Sequence, residues 1–177
     1  MPRLNPQPIT EASGQAAQLF TAIKAAAGKV PNAFADMGML SPVALESALH
    51  LDGALRKSSL SAREIETVKL AVSQKAECDY CLAAHTLMGK GAGLSGEAIL
   101  GVRHGTPSGD GKLDLLADFA RSLVGTSGTV DAALVERVRA AYSDAQIVDT
   151  LLAVTAITLT NLFNRVHDTV VDFPPAP

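Results

Sequence analysis

Signals for the start of a helix recur along this chain, and they constrain its fold more than any other feature. The clearest lies in residues 60–65, where Ser61 and Glu64 form a capping box, in which the two residues satisfy each other's free N–H groups at the helix start. Ser143 and Gln146 form a second capping box later in the chain. No segment alternates polar and apolar residues convincingly, as a half-buried strand does. We therefore predict an all-α fold.

Helix boundaries follow from these caps, from the spacing of apolar residues and from the positions of glycine and proline. The predicted helices cover approximately residues 16–27, 42–55, 62–76, 78–90, 113–124, 132–141 and 144–168, and a further helix begins after Leu94 and Ser95. The glycine-rich residues 105–111 are predicted to form a surface loop, and residues 173–177 a proline-rich tail.

Length and composition place these helices in one domain. A chain of 177 residues can close a core without metals or disulfides. Hydrophobic residues make up 47% of the chain and aromatic residues only 4%, so the interior consists mainly of small aliphatic side chains, which favour closely packed helices. We predict a single helical domain over residues 1–177, and the mean hydropathy of +0.21 favours burial of further apolar surface in a homo-oligomer.

Charge and hydropathy argue against several functional classes. The formal charge of −3, with scattered Lys and Arg, leaves no basic surplus for a phosphate backbone, so we predict no nucleic-acid partner. The apolar stretch 150–160 is shorter than the roughly twenty residues that cross a bilayer, so we predict no membrane partner. Residues 1–8 contain no apolar signal region, and the expected location is cytoplasmic.

The two cysteines, Cys78 and Cys81, are three positions apart, and such a pair in a reducing compartment points to redox or metal chemistry. On a helix Cys78, Cys81 and His85 stand at i, i+3 and i+7, so both sulfurs and the imidazole are predicted to share one face. Cys78 lies near the positive end of that helix, and His85 can accept the proton of Cys81. Both effects lower the pKa of a thiol.

Glu66 is the candidate for orienting His85. If the chain turns near Ala76, Glu66 lies ten residues before the turn and His85 nine after it, so at about 1.5 Å per residue the two reach the same level of antiparallel helices. A base held by a third group is the arrangement that activates a nucleophile. Glu64 and Glu77 are rivals for this role, but the capping box accounts for the first and the helix start for the second.

These four residues, a glutamate, two cysteines and a histidine, resemble at this spacing the motif of alkyl hydroperoxidase D-like (AhpD-like) proteins in the carboxymuconolactone decarboxylase family. The resemblance is sharpest over residues 60–93 and looser over residues 41–168, where residues 161–165 also resemble a pattern in the family's last helix. It implies an all-helical fold that assembles as trimers or hexamers.

The resemblance also implies a thiol peroxidase. Cys81 would become the sulfenic acid, Cys78 would resolve it, and Glu66 and His85 would relay protons. The substrate would be a hydroperoxide and the reductant a dithiol partner of lipoyl or thioredoxin type, with no cofactor and no metal. Tyr80 stands where some family members carry a histidine, and its phenol can donate a hydrogen bond but is a poor base.

Other interpretations of the same residues stay open. The cysteines could be buried, inert thiols, they could bind zinc together with His85 and Glu66, or their disulfide could switch an interaction surface. Lactone decarboxylation is disfavoured, because the decarboxylases after which the family is named resemble this chain in fold but not in its cysteine pair. Residues 161–165 are expected either to end a helix or to contact a subunit. The remaining histidines are expected at the surface or behind the site: His50, His104 and His167.

Overall fold

Nine α-helices and one short 3-10 helix make up residues 2–177, the part of the chain that the computed structural model describes. No strand occurs within these residues, which confirms the predicted all-α fold. The 3-10 helix covers Ile9–Glu11. The α-helices are α1 Gly14–Ala27, α2 Asn32–Leu40, α3 Pro42–Leu55, α4 Ala62–Lys75, α5 Asp79–Gly91, α6 Gly96–His104, α7 Gly111–Gly125, α8 Ala132–Ala141 and α9 Asp144–His167.

Side-chain caps set the starts of most of these helices. Both predicted capping boxes are present: Ser61 and Glu64 bond reciprocally at the start of α4, and Ser143 and Gln146 do so at the start of α9. A cap of this kind contributes about 1 kcal/mol to stability. Because the caps are local, the helices they begin have the bounds that the sequence predicts.

Two features differ from the predicted helices. α2 has no predicted counterpart, since it follows Pro31 and no side chain caps its first turn. α5 begins at Asp79 rather than at Cys78, which is its N-cap in extended conformation. The predicted start of this helix at Cys78 is therefore wrong by one position.

α4 is the central helix of the bundle and packs against α5, α6, α7 and α9. All of its residues from 66 to 73 are buried. A helix buried all round is normally apolar throughout, but α4 carries Glu66, Lys69 and Ser73 there, and each of them has a hydrogen-bond partner. Buried polar side chains that pair with residues of other helices are typical of a functional site, and this part of α4 contributes to the site described below.

α9 is the one helix of residues 2–177 that is long and apolar enough to cross a membrane, judged by length and composition alone. The whole helix meets this criterion, not only the stretch 150–160. The criterion is weak, because the core helix of a soluble protein also meets it. In the bundle α9 packs against α3 and α4, and it buries the amides of Asn161 and Asn164 against other helices.

Gly38 in α2 marks the closest packing between α2 and its neighbours. A Cβ atom there would lie 2.5 Å from Cε1 of Phe20 and 2.7 Å from Cδ2 of Leu45. We expect Gly38→Ala to lower the free energy of unfolding by about 1–3 kcal/mol, because overpacking strains a filled core. Gly53→Ala in α3 is the matched control: open space surrounds that position, so alanine should raise the free energy by roughly 0.5–1 kcal/mol. Urea unfolding measures both, and equal stability of the two variants would contradict the packing.

Candidate active site

The turn between α4 and α5 places the cysteine pair. α4 ends at Lys75, and Glu77 takes a left-handed backbone conformation with φ of 51°. This conformation reverses the chain, and the N–H of Cys78 then donates to the carbonyl of Ser73 at 3.1 Å. Cys78 is thereby held at the N-terminus of α5, where the positive end of the helix dipole favours a negative charge.

Both cysteines are reduced, buried and in contact. Their Sγ atoms are 2.8 Å apart, and the N–H of Cys81 donates to Sγ of Cys78 at 3.4 Å. Cys78 is 1% exposed and Cys81 3% exposed. The two sulfurs thus meet as the spacing predicts, although Cys78 caps the helix instead of belonging to it.

The surroundings of the two thiols move their pKa values in opposite directions. The pKa of Cys78 is lowered, chiefly because the side chain of Cys81 hydrogen-bonds to it, with further help from the Cys81 N–H and the Arg165 guanidinium. The pKa of Cys81 is raised, because its thiol serves as that donor and because burial and the neighbouring Cys78 charge disfavour a second thiolate. These opposite directions favour Cys78 over Cys81 as the thiolate of the pair.

Glu66 and His85 meet between α4 and α5. Oε2 of Glu66 lies 2.8 Å from Nδ1 of His85, and both side chains are buried. A carboxylate can only accept, so Nδ1 carries the hydrogen and Nε2 is left to exchange protons. Among residues 2–177 no direct hydrogen bond joins His85 to Cys81.

α9 supplies two site residues that the sequence did not single out for this role. Nδ2 of Asn164 donates to Sγ of Cys81 at 3.3 Å, and Nη1 of Arg165 donates to the carbonyl of Glu77 at 3.0 Å. Asn161, one turn earlier, accepts from the hydroxyl of Ser73. The sequence signal for these residues was the pattern in residues 161–165, which predicted only the end of a helix or a subunit contact.

Tyr80 connects the site to the C-terminal tail. Its hydroxyl donates to Oδ1 of Asp172 at 2.8 Å and accepts from the N–H of Ala33 at 3.1 Å, and its ring stands edge-on to Phe173. Burial raises the pKa of Tyr80, and Asp172 adds to the effect. The phenol does donate a hydrogen bond, but to the tail and not to a cysteine, so Tyr80 clamps residues 172–173 over the site.

A family model matches the part of the chain that contains Glu66, the two cysteines and His85. The matching residues are 42–111, and the model is that of the carboxymuconolactone decarboxylase family. Over these residues, less than half of its length, the chain is similar to this family. Comparison with curated protein sequences gives no match.

Solved structures share the fold over 78% to 97% of this chain. The AhpD core of an uncharacterized peroxidase-related protein from Ralstonia eutropha JMP134 has a TM-score of 0.84 at 19% identity, covering 97% of this chain and 92% of the other. A cysteine-to-alanine variant of the debrominase Bmp8, bound to 2,3,4-tribromopyrrole, has a TM-score of 0.80 at 13% identity over 97% and 94%. A protein from Agrobacterium tumefaciens, described as a putative antioxidant defence protein AhpD, has 0.71 at 22% over 78% and 97%. At these identities the likeness concerns the fold.

A cavity of about 90 Å³ adjoins Cys81 and His85 in this AhpD-like bundle. Its walls are mainly apolar, and the ion pair of buried Lys69 with half-buried Asp52, 2.6 Å apart, forms a polar part of the lining. Its apolar side chains come from α2, α5, α9 and the tail: Phe34, Ala84, Met88, Ala156, Ile157 and Phe173. The cavity can hold a small, largely apolar molecule against Cys81.

Metal ligands do not converge here. Within residues 2–177 no group of three or more His, Cys, Asp and Glu side chains is arranged to hold a metal ion. Glu66 and His85 pair with each other, and the cysteines pair with each other. The donor set that a zinc site requires is therefore not assembled around one point.

The other histidines do not enter the site. His50 and His104 are exposed. His167 is fully buried, which excludes the surface position among its two expected ones: Nε2 bonds Asp36 at 2.9 Å, while Nδ1 accepts from the N–H of Leu4 at 3.3 Å. This histidine ties the N-terminal segment and α2 to the end of α9.

The lowered pKa of Cys78 predicts a thiolate at pH values where an ordinary cysteine is protonated. The largest cause is the hydrogen bond from Cys81, so Cys81→Ala should move the Cys78 titration upward, toward the ordinary cysteine range. Ultraviolet thiolate absorbance as a function of pH measures this shift. Cys78→Ala is the control and should lose the low-pH titration altogether; a titration that survives in Cys78→Ala would place the charge on Cys81 instead.

Proposed function

We propose that this AhpD-like chain is a thiol-dependent peroxidase that reduces hydroperoxides through Cys78 and Cys81. One observation carries the proposal: two reduced sulfurs in contact lie beside a cavity that an imidazole, itself bonded to a buried carboxylate, also lines. Nothing in the packing of a helical bundle requires this combination. A nucleophile, a proton carrier and an orienting group stand together as covalent catalysis requires.

In the proposed cycle Cys81 attacks the outer oxygen of a hydroperoxide. The O–O bond breaks, an alcohol leaves after taking up a proton, and Cys81 becomes a sulfenic acid. Sγ of Cys78 then attacks the sulfur of Cys81, and the sulfenic oxygen leaves as water. The peroxide has gained two electrons and the cysteine pair has lost two in forming a disulfide.

Two observations bear on which sulfur attacks, and they favour different cysteines. The lowered pKa of Cys78 favours a thiolate there, whereas the apolar cavity reaches Cys81. Access favours Cys81, because a hydroperoxide must touch the sulfur it oxidises. The Cys81 proton can pass over 2.8 Å to the Cys78 thiolate as the attack begins, so Cys78 serves as the base for its neighbour.

His85 and Glu66 handle the remaining protons in this proposal. Nε2 of His85 is the ring nitrogen left for exchange, because Glu66 holds Nδ1. His85 lines the cavity with Cys81, and its imidazolium form, which carries a proton on Nε2 as well as on Nδ1, can protonate the alkoxide that leaves the peroxide. Glu66 stabilises the imidazolium that forms when His85 recovers a proton.

Partners and location follow from the same proposal. The disulfide must be reduced by a dithiol, of lipoyl or thioredoxin type, and the chemistry fits a reducing cytoplasm. A homo-oligomer, a trimer or a hexamer, is proposed because α9 exposes an apolar stripe. Its members are Val148, Leu151, Leu162 and Val166. Light scattering of the purified chain measures the assembly, and a monomer would contradict this part of the proposal.

The redox-switch alternative shares every residue with the peroxidase. A disulfide between Cys78 and Cys81 closes a loop of only a few residues next to one helix end, so it constrains little of the fold. A large conformational switch is therefore not favoured. The zinc alternative lacks a converging set of ligands.

Turnover separates the peroxidase from a switch. We expect the chain, supplied with excess dithiothreitol, to consume many equivalents of cumene hydroperoxide or tert-butyl hydroperoxide per cysteine pair. Consumption that stops at one equivalent per pair in the presence of the dithiol would support the switch and contradict the enzyme. The Cys78→Ser and Cys81→Ser variants control for reaction of the dithiol with peroxide.

A further inference from the structure

Two separate cavities adjoin the cysteine pair. The first is the apolar cavity that Cys81 and His85 line. The second has a volume of about 220 Å³ and is lined by Cys78 but not by Cys81. Tyr80 and Asn164 line both cavities and so belong to the wall between them. The two sulfur atoms are in contact, yet Cys81 lines the first cavity and Cys78 lines the second.

The second cavity differs from the first in chemistry. Its lining includes charged side chains of both signs: Arg3, Glu77, Asp79, Arg165 and Asp168. The Arg165 guanidinium donates a hydrogen bond to the carbonyl of Glu77, the residue before Cys78. A guanidinium at this position favours negative charge on a neighbouring sulfur. The first cavity suits an organic hydroperoxide, whereas the second admits a hydrated, polar thiol.

We propose that the dithiol reductant enters through the second cavity and attacks Sγ of Cys78, while the hydroperoxide reaches Cys81 through the first. This inference rests on the proposed function and assigns each half of the cycle to its own entrance. The cysteine pair then acts as a relay across the wall between the cavities: Cys81 is oxidised from one side, and Cys78 is reduced from the other.

The bonds change as follows. One thiolate of the dithiol attacks Sγ of Cys78, the bond between Cys78 and Cys81 breaks, and Cys81 leaves with the electron pair and takes up a proton. The second thiol of the reductant loses its proton and attacks the reductant's own sulfur in the mixed disulfide. Cys78 then leaves as a thiolate. The reductant has lost two electrons and become a cyclic disulfide, and the cysteine pair has gained them.

Each leaving sulfur has a partner suited to its step. Nδ2 of Asn164 donates to Sγ of Cys81 and stabilises the charge that forms when Cys81 leaves in the first exchange. Cys78 leaves in the second exchange, and its lowered pKa, caused chiefly by Cys81 and supported by Arg165, makes it the better leaving group there. The order of exchange therefore agrees with the groups that surround each sulfur.

Tryptophan substitutions at the two cavities test the assignment. Met88 lines only the first cavity and is 52% exposed, and Val171 lines the second and is 39% exposed, so a larger side chain at either place can extend over the opening. Val43→Trp on α3, at a residue that is 64% exposed and lines neither cavity, is the matched control. The two half-reactions are measured separately by stopped flow. Oxidation uses cumene hydroperoxide, and reduction uses dithiothreitol on a pair that diamide has first converted to the disulfide.

We expect Met88→Trp to slow oxidation by about 10-fold and to leave reduction within about twofold, with the reverse for Val171→Trp, because each indole restricts one entrance. Val43→Trp should change neither rate. Equal slowing of oxidation and reduction by either cavity substitution would overturn the assignment. A normal rate of disulfide reduction in the Val171→Trp chain would also overturn it.

The reduction half-reaction keeps this test distinct from the proposed function. Diamide forms the disulfide without a hydroperoxide, so a chain that fails as a peroxidase still reports which entrance the dithiol uses. A second measurement applies where a tryptophan substitution disturbs folding. In a Cys81→Ser chain Cys78 should react with a small aromatic disulfide, and this reaction should slow on adding Val171→Trp but not Met88→Trp. The opposite dependence would overturn the proposal.

Discussion

Replacing Cys81 by serine is expected to reduce hydroperoxide turnover to the uncatalysed background. Serine keeps the size of the side chain, but its hydroxyl cannot be oxidised by a peroxide, and no sulfenic acid can form. The apolar cavity, His85 and Glu66 would remain in place around the missing sulfur. Peroxide consumption in the presence of excess dithiothreitol measures the loss.

Cys78→Ser is the matched variant and should fail at a later step. Cys81 can still be oxidised once, although more slowly, because the Cys78 thiolate no longer takes its proton. The sulfenic acid then has no resolving partner and should accumulate, where a dimedone adduct on Cys81 detects it. Full turnover by either serine variant contradicts the mechanism. A dimedone adduct on Cys78 in the Cys81→Ser chain, with turnover retained, would reverse the roles of the two sulfurs.

Glu66→Gln is expected to lower kcat/KM for hydroperoxide by about 10- to 100-fold, since loss of a group that orients and charges a catalytic base has effects of this size. Glutamine keeps the shape of the side chain and can still accept from Nδ1 of His85. It removes the negative charge that stabilises a protonated imidazole. The loss should therefore appear in the rate rather than in the structure, and stopped-flow oxidation of the cysteine pair measures it.

Glu64→Gln is the control for this prediction. Glu64 lies on the same helix and is also buried, but it bonds to Ser61 at the helix start and takes no part in the site. Glutamine also completes a capping box, so stability and rate should both stay near those of the unmodified chain. An equal loss of rate in both variants would mean that the effect comes from the helix and not from the Glu66 charge.

Local signals predicted much of the fold and part of the site. The capping boxes at Ser61 and Ser143 begin helices at the expected positions, because a cap depends on residues three apart. Counting residues on either side of one turn placed Glu66 and His85 at the same level of antiparallel helices, and the structure has them in contact, although the count did not fix their rotation toward each other. Helix rise fixes such levels without any knowledge of tertiary packing.

Distant contacts could not be predicted in this way. Asn164 reaches Cys81 across 83 positions, and Arg165 reaches the carbonyl of Glu77 across 88, so both depend on how α9 is rotated in the bundle. The bond from Tyr80 to Asp172 depends likewise on the path of the tail. The N-cap position of Cys78 was missed because it needs a left-handed residue at Glu77, a conformation that a glutamate rarely adopts.

Mass spectrometry of the intact chain tests the central claim most directly. The reduced chain is titrated with cumene hydroperoxide and then with dithiothreitol, and peptide mapping reports the state of Cys78 and Cys81 at each stage. The account predicts that one equivalent of peroxide removes two hydrogen atoms by joining these two sulfurs, and that the dithiol restores them. A chain whose cysteines stay reduced in excess hydroperoxide, or gain oxygen without joining, would contradict it.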